Sequence, residues 1–182
     1  MPYVVTLLVL FGVLSVFNLV ITAGLVRRLR ENGSAGSARS QTGPIVMRAP
    51  GERVAPFRAV TLDGAAISEA VLNEGPTLVA TFGQGCPECA ERLPGFVAYA
   101  ETFPGGRDRV LAVMVGNRDD VAEELARLEP VARVVLEGRE GTVATALGVT
   151  GYPAFAILDE HATVRASGLR LESVTRALSA RA

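Results

Sequence analysis

Lysine and tryptophan are absent from these 182 residues, histidine occurs once (His161), and cysteine occurs twice (Cys86 and Cys89). Each shortage removes a class of chemistry. A structural zinc site takes about four ligands and a catalytic one about three, more than one imidazole and one narrow cysteine pair provide, so no metal is expected. Catalysis of the Ser-His-Asp kind would have to run through His161 alone. Charge is scarce and unevenly spread. The formal net charge is −1 and every one of the 18 basic residues is Arg. Residues 1–55 carry six Arg against two Glu, whereas residues 56–182 carry twelve Arg against seventeen acids. A globular part of negative sign lacks the clustered positive charge that nucleic-acid phosphates require. Nucleic acid is therefore not an expected partner.

Apolar sequence, by contrast, is plentiful, at 49% of residues with a mean hydropathy of +0.32. The length suits one ordinary domain plus a short appendage. Much of the apolar excess lies at the start, where residues 1–26 hold no charged side chain. The stretch 4–26, VVTLLVLFGVLSVFNLVITAGLV, would extend roughly 35 Å as a helix, enough to cross a hydrocarbon core of about 30 Å. A cleaved signal peptide fits less well, because no basic residue precedes the run and no Ala-x-Ala follows it. Residues 1–30 are thus expected to be a retained single-span anchor with a flanking cluster of Arg27, Arg28 and Arg30. Residues 31–54 read as a flexible linker, rich in Gly and Ser over ENGSAGSARSQTGP. Residues 55–182 read as the domain. The Arg cluster, taken alone, places that domain in the cytoplasm.

From residue 55 onward, short apolar runs alternate with amphipathic stretches. Residues 77–82 and 109–116 have the continuous apolar character of strands covered on both faces, and residues 133–137 read as a short strand. Helices are predicted over 87–103, 119–128, 141–147 and 171–180. Residues 154–159 and 163–167 flank a turn and read as a hairpin. The fold class is α/β, a mainly parallel sheet with helices on both faces and an antiparallel edge.

The chemistry concentrates in Gly85-Cys86-Pro87-Glu88-Cys89, just past an apolar strand and at the start of a helix. Cys86 falls at the N-cap, where free backbone N–H groups and the helix dipole lower the pKa of a thiol. Pro87 takes the first helical position, where its missing N–H costs nothing. Cys89 comes one turn later on the same face, in reach of a disulfide. The pattern suits an exposed attacking thiol backed by a resolving one. Two alternatives stand beside it. One is an inert pair, although a staple closing so short a loop removes little chain entropy. The other is half of a zinc site, which only a dimer would complete.

These residues resemble those of membrane-anchored thioredoxin-fold proteins of the TlpA/ResA-like family, near the accessory proteins of methylamine dehydrogenase maturation. The likeness covers about residues 50–182. It is carried by Ala55-Pro56-Phe57, Leu62-Asp63-Gly64, Cys86-Pro87-x-Cys89, Leu93-Pro94, and the run from Gly148 through Tyr152-Pro153 to Phe155. The resemblance implies a thioredoxin-like fold with an extra strand–helix insert in 109–147. It implies a cis Tyr152-Pro153 bond opposite the cysteines, with the Tyr152 backbone pairing with an extended substrate. It further implies a membrane-tethered thiol–disulfide oxidoreductase, Cys86 and Cys89 catalytic, with Tyr152, Pro153, Pro87 and Glu88 meeting substrate. Cysteine-bearing proteins and an upstream dithiol donor are the implied partners, with no cofactor. Since such relatives act outside the cytoplasm, the domain is expected there, the charge rule notwithstanding.

Three departures from the family pattern stand out. Gly85 replaces the usual Trp. Ala80 stands where many relatives carry a carboxylate or amide that serves the buried thiol. Glu88 separates the cysteines, and a nearby carboxylate disfavours a thiolate, which points to a reductase or isomerase rather than a strong oxidant. It also suits an ordinary first helical turn. The alternatives to this activity are a non-catalytic adaptor in redox-protein maturation, a copper-delivery protein, and a peroxiredoxin-type peroxidase. The last requires Thr where Gly83 stands.

Overall fold

The computed structural model describes residues 45–179, together with Tyr3, Phe11, Gly12, Leu14 and Ser15. Its contacts divide the chain into two units, Met1–Ser40 and Gln41–Ala182, and everything below concerns the second. The predicted span over 4–26 lies almost wholly outside the described residues. Among the described residues, no helix is long and apolar enough to cross a membrane.

Five strands form the central sheet: β3 (Thr77–Gly83), β4 (Val110–Val115), β5 (Arg133–Glu137), β6 (Ala154–Leu158) and β7 (Val164–Gly168), in the order β5-β4-β3-β6-β7. β3 is central because almost every residue in it is apolar and covered on both faces. Its alternation divides the core in two. Leu78, Ala80 and Phe82 point to one face, with Ala112 and Met114 of β4, and are covered by α2 (Pro87–Glu101), α3 (Ala122–Leu128) and α5 (Leu171–Ser179). Val79 points to the other, with Leu111, Val113 and Val115, and is covered by α4 (Thr142–Leu147). A two-stranded sheet, β1 (Arg58–Val60) with β2 (Ala66–Ser68), and the one-turn helix α1 (Glu69–Leu72) complete that second layer.

Four details differ from the sequence reading. The sheet is half antiparallel: β3 runs parallel to β4 and β4 to β5, but β6 opposes both β3 and β7. The C-terminal hairpin pairs through β6 with β3, and β7 forms the expected antiparallel edge. β2 and α1 were not anticipated, being too short to show a period. The helix predicted from residue 119 begins as a 3-10 turn, Arg118–Val121, and becomes α-helical at Ala122. Finally, the last part of the expected linker is packed onto the domain. Met47 and Val54 are buried, and Arg48 N–H donates to Leu147 O at 2.9 Å while Gly51 N–H donates to Val164 O at 2.8 Å. Its apolar side chains and backbone donors find partners that Gly-Ser sequence does not offer.

The turn between β1 and β2 contains the most strongly perturbed carboxylate. Asp63 accepts a hydrogen bond from the Thr61 hydroxyl and pairs with Arg107 at 2.8 Å. These hold its pKa at about 2, below the ordinary value of 3.8. The unfolded chain therefore takes up this proton first, and the stabilisation is complete above about pH 4. It is lost as the pH falls towards about 2. Asp63→Asn is expected to flatten that part of an acid-unfolding curve followed by circular dichroism.

Candidate active site

The site begins where β3 ends. Gly83 faces the Tyr152 ring so closely that an added Cβ would lie 2.8 Å from Cδ2. Gly85 takes a positive φ of 69°, which turns the chain into α2 at little cost only for glycine. Cys86 is the N-cap of α2, with extended backbone angles and Pro87 at the first helical position. Its Sγ accepts the Cys89 backbone N–H at 3.2 Å, a donor it shares with the Cys86 carbonyl at 3.1 Å. A thiolate at that atom would receive the same hydrogen bond and the positive end of the helix dipole. Cys86 and Cys89 are joined as a disulfide, their Cα atoms 5.2 Å apart. Cys86 is half-buried, whereas Cys89 is 5% exposed and belongs to the core beneath.

Two hollows meet at Cys86. One, about 230 Å³, is walled by Phe82, Pro87, Leu93 and Met114, with Cys89 and Glu124 on its lining. The other is an open groove of about 710 Å³ running over the ends of β3, β4 and β5, lined by Gln84, Asn117, Arg139 and Tyr152. Gln84 fixes the floor of this groove. Its Oε1 accepts from Asn117 N–H at 3.0 Å, its Nε2 donates to Asp120 Oδ2 at 2.7 Å, and its backbone N–H donates to Val115 O at 2.8 Å. Tyr152-Pro153 is a cis peptide. Burial pushes the Tyr152 phenol above its ordinary pKa, the Glu137 carboxylate adds to that, and Arg139 opposes it. The phenol thus stays protonated well above neutral pH, in a residue that lines the same groove as Cys86.

Residues 50–167 match the AhpC/TSA family. The chain belongs to that family. No curated protein matches the sequence. Solved structures that resemble this one include the thioredoxin domain of a thiol-disulfide oxidoreductase from Bacteroides vulgatus, at 16% identity and a TM-score of 0.59 over 74% of this chain and 98% of that one. A thiol:disulfide interchange protein of the thioredoxin family from Chlorobium tepidum follows at 22% identity and a TM-score of 0.56, covering 73% of this chain and 97% of that one. A secreted disulfide oxidoreductase of Mycobacterium tuberculosis aligns at 18% identity and a TM-score of 0.52, covering 68% and 95%. At such identities these likenesses speak to architecture, and the architecture is a mixed α/β thioredoxin-like fold.

The residues singled out from the sequence divide accordingly. Cys86, Pro87 and Cys89 line the smaller hollow, and Tyr152 joins Cys86 on the groove. Glu88 is exposed and borders neither, and Pro153 is buried behind Tyr152 rather than on the groove wall. Sequence reasoning missed Gln84, Asn117 and Arg139, which reach the site from three separate segments. It also missed Glu124, although that residue had a local signal. Val121, Leu125 and Leu128 form a buried stripe, and Glu124 occupies the i+3 position on it. Among the described residues, no group of three or more His, Cys, Asp or Glu is placed to hold a metal ion.

Proposed function

We propose that the protein is a membrane-tethered thiol–disulfide oxidoreductase that reduces or rearranges disulfides of other proteins through Cys86 and Cys89. The observation that carries this reading is the inequality of the two sulfurs. Cys86 is accessible at a helix start with a backbone N–H on its Sγ, and its partner lies one turn below in the core. In the reduced protein, the Cys86 thiolate attacks a substrate disulfide. One substrate sulfur leaves as a thiolate and the other remains on Cys86 as a mixed disulfide. Cys89 then attacks Cys86 Sγ, restores the internal disulfide and expels the second substrate thiolate. Two electrons pass from the dithiol to the substrate.

Within the AhpC/TSA family, the Cys-Pro-Glu-Cys sequence and the apolar N-terminal run support placement with the TlpA/ResA-like proteins, near those of methylamine dehydrogenase maturation. That relatives of this kind act outside the cytoplasm supports a domain held on the outer side of the cell membrane, against the charge rule for Arg27, Arg28 and Arg30. There its partners would be cysteine-bearing proteins and a dithiol donor. Glu88, exposed in the first turn of α2, opposes the thiolate and supports a reducing poise. The reduction potential is expected below about −180 mV. A value close to that of the strong periplasmic oxidants would overturn the reductase assignment.

Family membership also brings the peroxidase reading forward, and the packing of Gly83 weighs against it. The Thr that such chemistry places three residues before the reactive cysteine would drive its Cβ into the Tyr152 ring. Trapping decides among these activities. Cys89→Ser is expected to accumulate covalent partners on Cys86 that dithiothreitol releases. If no adduct forms, and Cys86 in the wild type shows no lowered pKa in a thiol titration, the adaptor reading replaces ours. Rapid peroxide consumption by the reduced wild type would favour the peroxidase.

A further inference from the structure

The resolving step requires Cys89 to lose a proton, and its surroundings make that difficult. The residue is 5% exposed, and burial in apolar surroundings raises the pKa of a thiol. The sheet below provides no base, since Ala80 and Ala112 on that face are fully buried methyl groups. The walls of the hollow are Phe82, Pro87, Leu93 and Met114. Apart from the two cysteines, the lining holds one ionisable side chain, Glu124.

Glu124 arrives from α3, and its position runs against the pattern of that helix. It stands on the core-facing stripe beside Val121, Leu125 and Leu128, where an apolar residue would ordinarily sit. The charged groups around it are directed elsewhere. On its own helix, Glu123 pairs with Arg127 at 2.5 Å. In the preceding 3-10 turn, Asp119 is exposed, Asp120 accepts from Gln84 and Asn117, and Arg118 borders a separate cleft with Leu62. On α2, Glu88 is exposed, while Glu91 and Arg92 line another cleft with Glu172. On β5, Glu137 caps α4 through Val143 and Ala144 N–H, and Arg133 lies within the field of Asp108, Arg109 and Glu74.

We propose that Glu124 is the proton acceptor for Cys89, supplied by a different helix in place of the group missing at Ala80. The proposal rests on the thiol–disulfide reading above. The Glu124 carboxylate takes the proton from the Cys89 thiol, directly or through one water in the hollow. The Cys89 thiolate attacks Cys86 Sγ, the bond from Cys86 to substrate sulfur breaks, and the departing thiolate recovers the proton from the Glu124 carboxylic acid. When the internal disulfide is itself reduced, the same acid protonates Cys89 as it leaves.

Stopped-flow reaction of the reduced full-length chain with 5,5′-dithiobis(2-nitrobenzoate) separates the two thiols. Release of the first 2-nitro-5-thiobenzoate reports attack by Cys86, and release of the second reports resolution by Cys89. Glu124→Gln is expected to leave the first phase in place and to slow the second about 100-fold at pH 7. Its second phase should then climb with pH like that of an unassisted thiol, while the wild type remains flatter. Glu124→Asp should recover part of the rate, and Glu123→Gln should behave as the wild type. Glu124→Ala, at a position open to a hollow, is measured alongside so that a folding defect in one variant does not end the test. An unchanged second phase and pH profile overturns the proposal, as does equal slowing of both phases. Absence of the first phase in the wild type would instead defeat the oxidoreductase reading itself.

Discussion

Cys86→Ser is expected to abolish disulfide exchange, with activity in an insulin-reduction assay falling to the uncatalysed background. The size of this effect follows from the position of the sulfur. A thiolate is the only species in this chemistry that both attacks a disulfide and is itself displaced from one, and a serine hydroxyl does not ionise near neutral pH. Cys89 does not compensate, because it is 5% exposed and lies beneath Cys86. The substitution is also well tolerated structurally, which makes the result easy to interpret. Cys86 is the N-cap of α2 and its side chain accepts from Cys89 N–H. Serine is among the best residues for that role. The lost disulfide spans a sequence separation of only 3, so little chain entropy returns to the unfolded state. Helix content and thermal midpoint should therefore stay close to those of the reduced wild type. A Cys86→Ser protein that still reduces insulin would remove the basis of the assignment.

Phe96→Ala is expected to destabilise the domain by about 3–5 kcal/mol. Phe96 is fully buried in the middle of α2. Its ring lies 5.5 Å from that of Phe82 at 68°, and 6.0 Å from that of Phe155 at 32°. Phe82 and Phe155 are themselves 5.9 Å apart at 78°. The three rings join the cysteine-bearing helix to the two central strands, so truncation opens a void that neighbours on a rigid sheet fill poorly. Such a loss is a large part of the ~5–15 kcal/mol that holds a typical domain together. Urea unfolding should show a lower midpoint with an unchanged slope. Phe96→Leu, which retains most of the volume, should cost less. A loss of stability under about 0.5 kcal/mol for Phe96→Ala would mean that α2 is held by other contacts.

Much of this organisation was legible in the linear order of residues. β5 occupies 133–137 as expected, because Val134 and Val135 have no polar alternation to suggest any other element. The placement of the cysteine pair at a helix start was legible from strand, glycine, cysteine and proline in succession. The pairing partner of the C-terminal hairpin was not, since the union of β6 with β3 depends on which side of β3 the parallel strands leave open. Nor were the groove residues. Gln84 has meaning only through Asn117 and Asp120, and Arg139 only because β5 ends beside the cysteine loop. These are long-range juxtapositions, which no local period encodes. Glu124 is the intermediate case. Its place on an apolar stripe was visible, but nothing local separates it from its exposed neighbour Glu123.

The antiparallel seam between β3 and β6 has a consequence for synthesis. Thr81 and Ala154, joined across that seam, stand 73 positions apart, and such distant pairings form late. The ribosome therefore delivers both cysteines well before the strand that completes the sheet around them. Until β6 arrives, Tyr152 is not yet in place, so the groove it shares with Cys86 is completed only after both cysteines have been made.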